Sequence, residues 1–596
     1  MRLVFAAMLT GAAFVTTQAP QQNAATAQFR TQLEADWSYW LAQYPELATQ
    51  VGVNEHDHRW TDYSVAAMQS RAKYLSASVK NLASIRRDSL DPADRVSYDL
   101  YRELLESAVQ GLRVHYDALP LRSVVPNHLF MPVNQLGGVQ QDAARIVAIM
   151  PHDNVRQYDA IVARLESLPA LIDQTIALME RGLKEEITQP KVVMRGVPDQ
   201  VQGLLFDNPD ESPLLDAFQE FPPSIPAAER DRLTARARAA YEDKVAPAFA
   251  RLKNFLEKTY IPNCRDAIAV TAMPTGGELY KYNVAWHTTT ALAPKEIHQI
   301  GLAEVKRIRA EMDKVIASSG FKGSFGEFTE FLRKDPRFYF TNAEDLVKEY
   351  RDIAKRADPE LARLFGTLPR LPYGVRRVPD AIAPAQTTAY YEPGSPAAGR
   401  PGYMYANTYK LDARPRWEME ALTLHEAVPG HHLQFALAQE LPNMPEFRKH
   451  GSYTAYVEGW ALYSELLGEE MGFYANPYSK FGQLTYQMWR AVRLVVDTGM
   501  HALGWSRQQA IDFFRDNSAK TEQDIIVEID RYIAWPGQAL GYKIGELRIR
   551  ELRARAEKAL GDKFDMRGFH DLLQSEGAVP LDLLESRVEE WIAGKR

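Results

Sequence analysis

Apolar residues recur at intervals of three and four along much of the chain, the spacing that gives an α-helix one buried face. The pattern is clear over residues 155–184 and 227–258, with a proline-rich joint at 221–226 between them. Proline ends helices and turns the chain, so the region from residue 29 onward reads as long packed helices linked by such joints. Around residues 267–290 the pattern changes. β-Branched and aromatic residues gather about Pro274, Gly276 and Gly277, before Pro294 and Glu296 supply the first-turn signals of another helix. This change places a soft boundary between an N-terminal helical region, 28–290, and a C-terminal one, 291–596, the two forming one integrated body. Residues 371–411 are rich in Pro, Gly, Tyr and Thr, and Tyr403-Met-Tyr-Ala-Asn-Thr-Tyr409 reads as a strand. Helical periodicity then returns almost to the end, with helices from Trp417, Tyr453, Leu484, Ser506, Glu522 and Gly537. The expected class is mostly α with a small β-sheet.

Composition narrows this picture. At 596 residues and 46% hydrophobic content, the chain can bury an extensive core. A net charge of -7 with no basic tail removes the electrostatic footprint of a nucleic-acid binder. At the N-terminus Arg2 precedes an apolar run, 3–15, and a polar segment ending Ala25-Thr26-Ala27, the layout of a secretory signal peptide covering 1–27. A membrane-spanning helix needs about 20 apolar residues, and Thr16, Thr17 and Gln18 interrupt this run. No later window reaches that length, so the mature chain is expected in the periplasm or outside the cell, without stable membrane insertion. Cys264 is the single cysteine. It can form no internal disulfide, and no cysteine lies near the N-terminus for lipid attachment.

The chemistry concentrates in Leu424-His-Glu-Ala-Val-Pro-Gly-His-His-Leu433, which sets His425, Glu426, His431 and His432 in an otherwise apolar helix. A catalytic zinc takes three protein ligands and a water, with a nearby carboxylate as general base. In a His-Glu-x-x-His helix the histidines stand one turn apart on one face. Here the second histidine comes two residues late, and on an unbroken helix His425 and His431 would point apart. Pro429 lacks the amide hydrogen that would bond the His425 carbonyl, so the helix must kink or bulge, and Gly430 lends freedom that can bring His431 back over His425. His432, two turns after His425, is the alternative ligand. Glu458, inside the apolar Ala455-Tyr-Val-Glu-Gly-Trp-Ala-Leu-Tyr463, is a third: a carboxylate there is costly to bury without a cation, whether zinc or a core arginine such as Arg490 or Arg493.

At these residues the sequence resembles the domain of unknown function 885 (DUF885) family of bacterial proteins, which is grouped with the zincin-type metallopeptidases. The resemblance rests on Pro274 to Tyr282, Arg400-Pro-Gly402, His425 to Gln434, Glu458-Gly-Trp-Ala461, Arg493 to His501 and Arg531 to Gly545. It implies a large zincin-like, gluzincin-type body with a deep central cleft, in which two histidines and a downstream glutamate bind Zn2+. Those roles fall on His425, His431 and Glu458. The departure from the gluzincin pattern is the two-residue insertion at Pro429 and Gly430.

The expected activity is hydrolysis of oligopeptides, with Glu426 taking a proton from the attacking water and returning it to the leaving amine. Non-peptide amides or esters are the alternative substrates, and a non-catalytic periplasmic binding protein is the alternative class. Tyr542, beside the Pro536-Gly537 turn, and next His501, are candidate donors to the developing oxyanion. Glu465 and Asp497 are candidates to hold the second ring nitrogens of the ligands. Strand residues Tyr403 and Tyr405 could take an extended peptide as an added strand. Arg400, Arg490, Arg493, Arg531 and Lys543 could each grip a substrate carboxylate, with nothing in the sequence to choose among them.

Overall fold

The computed structural model describes residues 23–380, 383, 386–396 and 399–595. Most of the expected leader, 1–22, lies outside the described residues. The remainder enters helix Ala24–Gln43, where the buried Thr26 hydroxyl accepts from the Asp91 amide at 2.9 Å. The body is mostly helical, with one three-stranded sheet.

Helix Val155–Lys184 forms as its periodicity predicts and packs on Ala227–Ala240 and Ala246–Phe255. The second expected helix continues to Asn263, but through wider π turns at Tyr241–Val245 and Leu256–Tyr260. Each is followed within two residues by a proline, Pro247 or Pro262, whose missing N–H an ordinary α register would leave as a gap. Within the stretch where the pattern changes, Gly276–Thr288 is helical and packs against Thr454–Glu470 and Leu540–Leu560. Tertiary burial overrides the β preference of its residues. Pro294 and Glu296 do open the next helix, Pro294–Ser318, with the Glu296 carboxylate accepting from the Ala293 amide at 2.7 Å.

That helix lies along Pro477–Ala502, which is buried on nearly every side and forms the axis of the C-terminal half. Two apolar cores result, and both join distant parts of the chain. One packs Phe29, Leu75 and Tyr101 with Phe447, Trp460 and Ile592. The other packs Ile161 and Leu165 with Val492, Val495 and Ile529. Cys264 is buried and unpaired, and no described helix is long and apolar enough to cross a membrane.

The sheet runs in the order β1 (Tyr373–Arg377), β3 (Gly402–Ala406), β2 (Ala389–Glu392). β1 is parallel to β3, with Val375 opposite Met404, and β2 is antiparallel to it, with Tyr390 opposite Tyr405. The expected strand at 403–409 therefore stops at Ala406. Asn407 ends it, its side-chain amide donating to the carbonyls of Ala383, Gln386 and Thr387 at 2.8 to 3.0 Å. β3 lies in the middle of the sheet, flanked on both edges. It cannot accept an added strand, which removes the peptide-binding role expected of Tyr403 and Tyr405; among the described residues the edge strands are β1 and β2, and of these β2 lines the cavity described below.

Candidate metal centre

Helix Met419–Glu426 carries His425 and Glu426 at its last two positions, and helix His431–Glu440 starts after four intervening residues. Between them Ala427 and Gly430 leave helical geometry, and the Val428–Pro429 peptide is cis. The chain breaks and restarts rather than bulging. Gly430 is required because a Cβ there would stand 1.9 Å from the His425 carbonyl oxygen. The buried Trp460 indole donates to the Pro429 carbonyl at 2.8 Å and fastens the connection from the facing helix. In this arrangement the rings of His425 and His431 lie 4.8 Å apart with their planes 87° from parallel.

Glu458 comes from helix Thr454–Glu470, which packs against Leu540–Leu560. The two helices touch at Gly459 and Gly545, where a Cβ on either would meet the other helix's backbone at 2.6 Å or less. This close approach brings Glu458 and Tyr542 to one cavity. Glu458 Oε2 stands 3.6 Å from His425 Nε2 and 3.7 Å from His431 Nε2, and one donor atom from each residue lies within 4.8 Å of the others. Among the described residues, no other group of three such ligands converges. The same carboxylate oxygen is buried with no hydrogen-bond partner, the two histidine nitrogens being its charged or polar neighbours, and an ion between the three would complete its coordination. Two imidazole nitrogens and one carboxylate oxygen are the donor set of a catalytic zinc, whose tetrahedral ligands stand roughly 3.4 Å apart.

The surroundings aim these ligands. Glu465, fully buried, places Oε1 2.8 Å from His425 Nδ1, which leaves Nε2 turned to Glu458. The Gln434 amide reaches His431 Nδ1 at 2.8 Å and the Val457 carbonyl at 3.0 Å. His432 is spent elsewhere, Nδ1 on the Tyr391 hydroxyl at 2.9 Å and Nε2 on the Leu371 carbonyl at 3.1 Å. The converging histidines are therefore His425 and His431.

Charge is distributed unevenly here. Burial opposes ionisation of Glu458, yet the neighbouring His425 and His431 hold its carboxyl down at about 2. Burial pushes the Glu426 carboxyl up to about 7, with Glu458 adding to the rise and His425 and Arg490 opposing it. Burial also lowers His431 to about 4, whereas His425, despite burial, is lifted to about 9 by Glu458 and Glu465. Two carboxylates within one site are thus driven apart by their environments.

Glu426 and the ligands line a cavity of about 340 Å3. Its other walls come from residues 387–391, on and before β2, and from Trp489, Arg490, Arg493, Arg531 and Tyr542. The Tyr542 hydroxyl accepts from Arg531 at 3.3 Å, and the Arg493 guanidinium covers its ring at 4.3 Å. A larger cavity of about 490 Å3 also has Val124 in its lining but contains none of the ligands.

Several expected site residues lie elsewhere. His501 is fully buried off the cavity, its Nδ1 accepting from the Val270 amide at 3.0 Å and Nε2 donating to the Tyr532 carbonyl at 2.9 Å. It has no donor left for an oxyanion. Asp497 supports no ligand, since it accepts from the Tyr280 hydroxyl at 2.6 Å and the Gly537 amide at 3.0 Å. Tyr403 and Tyr405 stand on the face of the sheet occupied by Tyr390 and Arg376. Arg400 is a surface side chain 3.6 Å from Glu392. Lys543 is buried against Gln487 and Glu546. Arg531 does line the cavity. Sequence reasoning missed β2 and Gln434; the latter's signal was its position one turn after His431 on the restarted helix.

Comparison with known proteins agrees with this arrangement of elements. A family model described as "Bacterial protein of unknown function (DUF885)" matches residues 45–588. A solved structure of a "putative lipoprotein" from Colwellia psychrerythraea superposes with a TM-score of 0.87 at 28% identity, covering 96% of this chain and 100% of that one. Another, a "putative lipoprotein of unknown function" from Shewanella oneidensis, superposes with a TM-score of 0.72 at 19% identity, covering 94% and 99%. No curated protein matches the chain.

Proposed function

The chain belongs to the DUF885 family of bacterial proteins, and on that premise we propose that it is a zinc-dependent hydrolase of short peptides, acting outside the cytoplasm. The observation that carries this reading is the buried Glu458 Oε2, without a hydrogen-bond partner and 3.6 and 3.7 Å from two histidine nitrogens. His425, His431 and Glu458 would hold the ion. Bound there, zinc supplies Lewis acidity to a carbonyl and makes water a better nucleophile.

The chain's own groups do the rest. Glu426, directly after a ligand and lining the cavity, takes the proton of the attacking water and returns it to the leaving amine. Tyr542 turns its hydroxyl toward the same space and donates to the carbonyl oxygen as charge develops on it. The free edge of β2 on the cavity wall offers backbone partners to an extended substrate. The lipoprotein description of the 28% identical Colwellia protein supports an extracytoplasmic location.

Glu426→Gln tests this reading. Metal content measured by mass spectrometry should stay at about one zinc per chain, while kcat on a peptide mixture falls by roughly 100- to 10,000-fold. A wild-type protein that holds no metal and cleaves no peptide would overturn it.

A further inference from the structure

Helix Pro477–Ala502 is buried almost throughout, yet it presents Arg490 and Arg493 to the cavity, one turn apart. Their side chains are only 5% and 2% exposed. A guanidinium carries five N–H donors, and at that depth each unpaired donor is expensive. Arg490 has one ion contact, 3.8 Å to Glu465, a carboxylate already engaged by His425 at 2.8 Å. Its Nε and Nη1 have no hydrogen-bond partner. Arg493 is held along one side, Nε donating to the Tyr532 hydroxyl at 2.9 Å and Nη2 to Glu528 at 3.1 Å, while Nη1 is buried and unpartnered. Arg531 donates through Nη2 to Gln538 at 2.9 Å and leaves Nε without a partner.

Aromatic rings fix these cations in place. Arg490 lies over Tyr486 and Trp489 at 4.6 and 4.5 Å, and Arg493 over Trp489 and Tyr542 at 4.5 and 4.3 Å. Three guanidiniums thus share two carboxylates, Glu465 and Glu528. The acids that line the cavity are Glu426, whose carboxyl Arg490 helps to lower, and Glu458, which stands between the two histidines. The arginine wall has three guanidiniums with unpartnered planar donors and shares its cavity with the proposed metal centre.

We propose that Arg490, Arg493 and Arg531 form a carboxylate-binding subsite that anchors the substrate's acidic end, so that the bond cleaved lies close to a carboxylate. The chemistry rests on the metal-hydrolase reading; the binding does not. A planar carboxylate matches a guanidinium fork in two hydrogen bonds, and a cavity of about 340 Å3 suits a ligand a few residues long. The carboxylate is supplied either by the peptide's C-terminus or by an acidic side chain next to the cleaved bond.

The test uses the purified full chain with its metal and one peptide made in three forms: free acid, C-terminal amide, and amide with aspartate as last residue. Amidation should lower kcat/KM by roughly 100-fold or more, because it leaves buried donors facing a neutral group. Recovery with the aspartate amide assigns the anchor to a side chain; no recovery assigns it to the C-terminus. Cleavage of all three forms within about threefold of one another overturns the subsite and leaves the hydrolase reading standing. Calorimetric binding of N-acetyl-phenylalanine and its amide gives a readout independent of turnover. The acid should bind at least tenfold tighter, and Arg531→Gln and the conservative Arg493→Lys should erase that preference without changing metal content. Preference retained in both variants overturns the proposal, even for a protein that cleaves nothing.

Discussion

Helix Pro477–Ala502 serves two sets of buried ionisable groups. Arg490 and Arg493 look into the cavity that holds His425, Glu426, His431 and Glu458, while Asp497 and His501, further along, look toward Tyr280. By composition the sets are alike, each with histidine, carboxylate and tyrosine sealed among apolar side chains. They differ in what remains unpaired. Both oxygens of Asp497 and both nitrogens of His501 are taken by groups of the protein itself. In the cavity, Glu458 Oε2 and the Arg490 Nε and Nη1 atoms have no partner. A closed polar cluster specifies a fold, whereas unmet hydrogen-bonding capacity beside a void points to a ligand.

The largest contrast expected is between two histidines. His431→Ala should abolish stoichiometric zinc and lower peptide hydrolysis by roughly 1,000-fold or more. His501→Ala should keep its zinc and instead lose about 2–4 kcal/mol of stability, since it leaves the Val270 amide and the Tyr532 carbonyl unpaired. Metal analysis paired with urea unfolding reads both, and zinc lost equally from the two variants would erase the distinction.

A smaller effect concerns pH. Burial pushes the Asp497 carboxyl up to about 7, against the lowering effect of Tyr280 and Gly537. The native state therefore keeps this proton to higher pH than the unfolded chain, whose aspartates titrate near about 3.9. Its stabilising contribution is complete below that value and is lost as pH rises toward 7. Asp497→Asn has no such titration. The stability advantage of the wild type over this variant should shrink from pH 4.5 to 7.5, and parallel unfolding profiles would contradict the assignment.

The smallest effects belong to residues outside both clusters. Arg400→Ala and Tyr403→Phe should leave kcat/KM within about twofold, in line with the modest weight of exposed ion pairs and surface hydrogen bonds. A loss of tenfold or more in either would bring the outer face of the sheet into substrate binding.

Much of this was legible in the chain. Helical spacing marks Val155–Lys184 residue by residue, and the capping signals of Pro294 and Glu296 mark the start of their helix, because both depend on contacts within a turn. Pro429 and Gly430 announce that the histidine segment cannot be one regular helix but must kink or bulge, and the chain goes further, ending one helix and starting another. The fate of His432 was hidden, since its partners Leu371 and Tyr391 lie 61 and 41 residues away. So was the central position of β3, because a strand's own residues do not say which neighbours will flank it.

By itself the sequence determined the helical class, the place where the histidine helix must break, and a short set of residues able to bind a metal or a carboxylate. Tertiary structure decided which of them meet. Arg490, Arg493, Asp497 and His501 share one helix, and what separates them is whether a distant group arrives to pair with them. Tyr280 reaches Asp497 across 217 residues and Val270 reaches His501 across 231, whereas among the described residues no group comes within hydrogen-bond distance of Arg490 Nε or Glu458 Oε2. Local spacing sets the direction of a side chain; its remaining hydrogen-bonding capacity is set by how the whole chain packs around it.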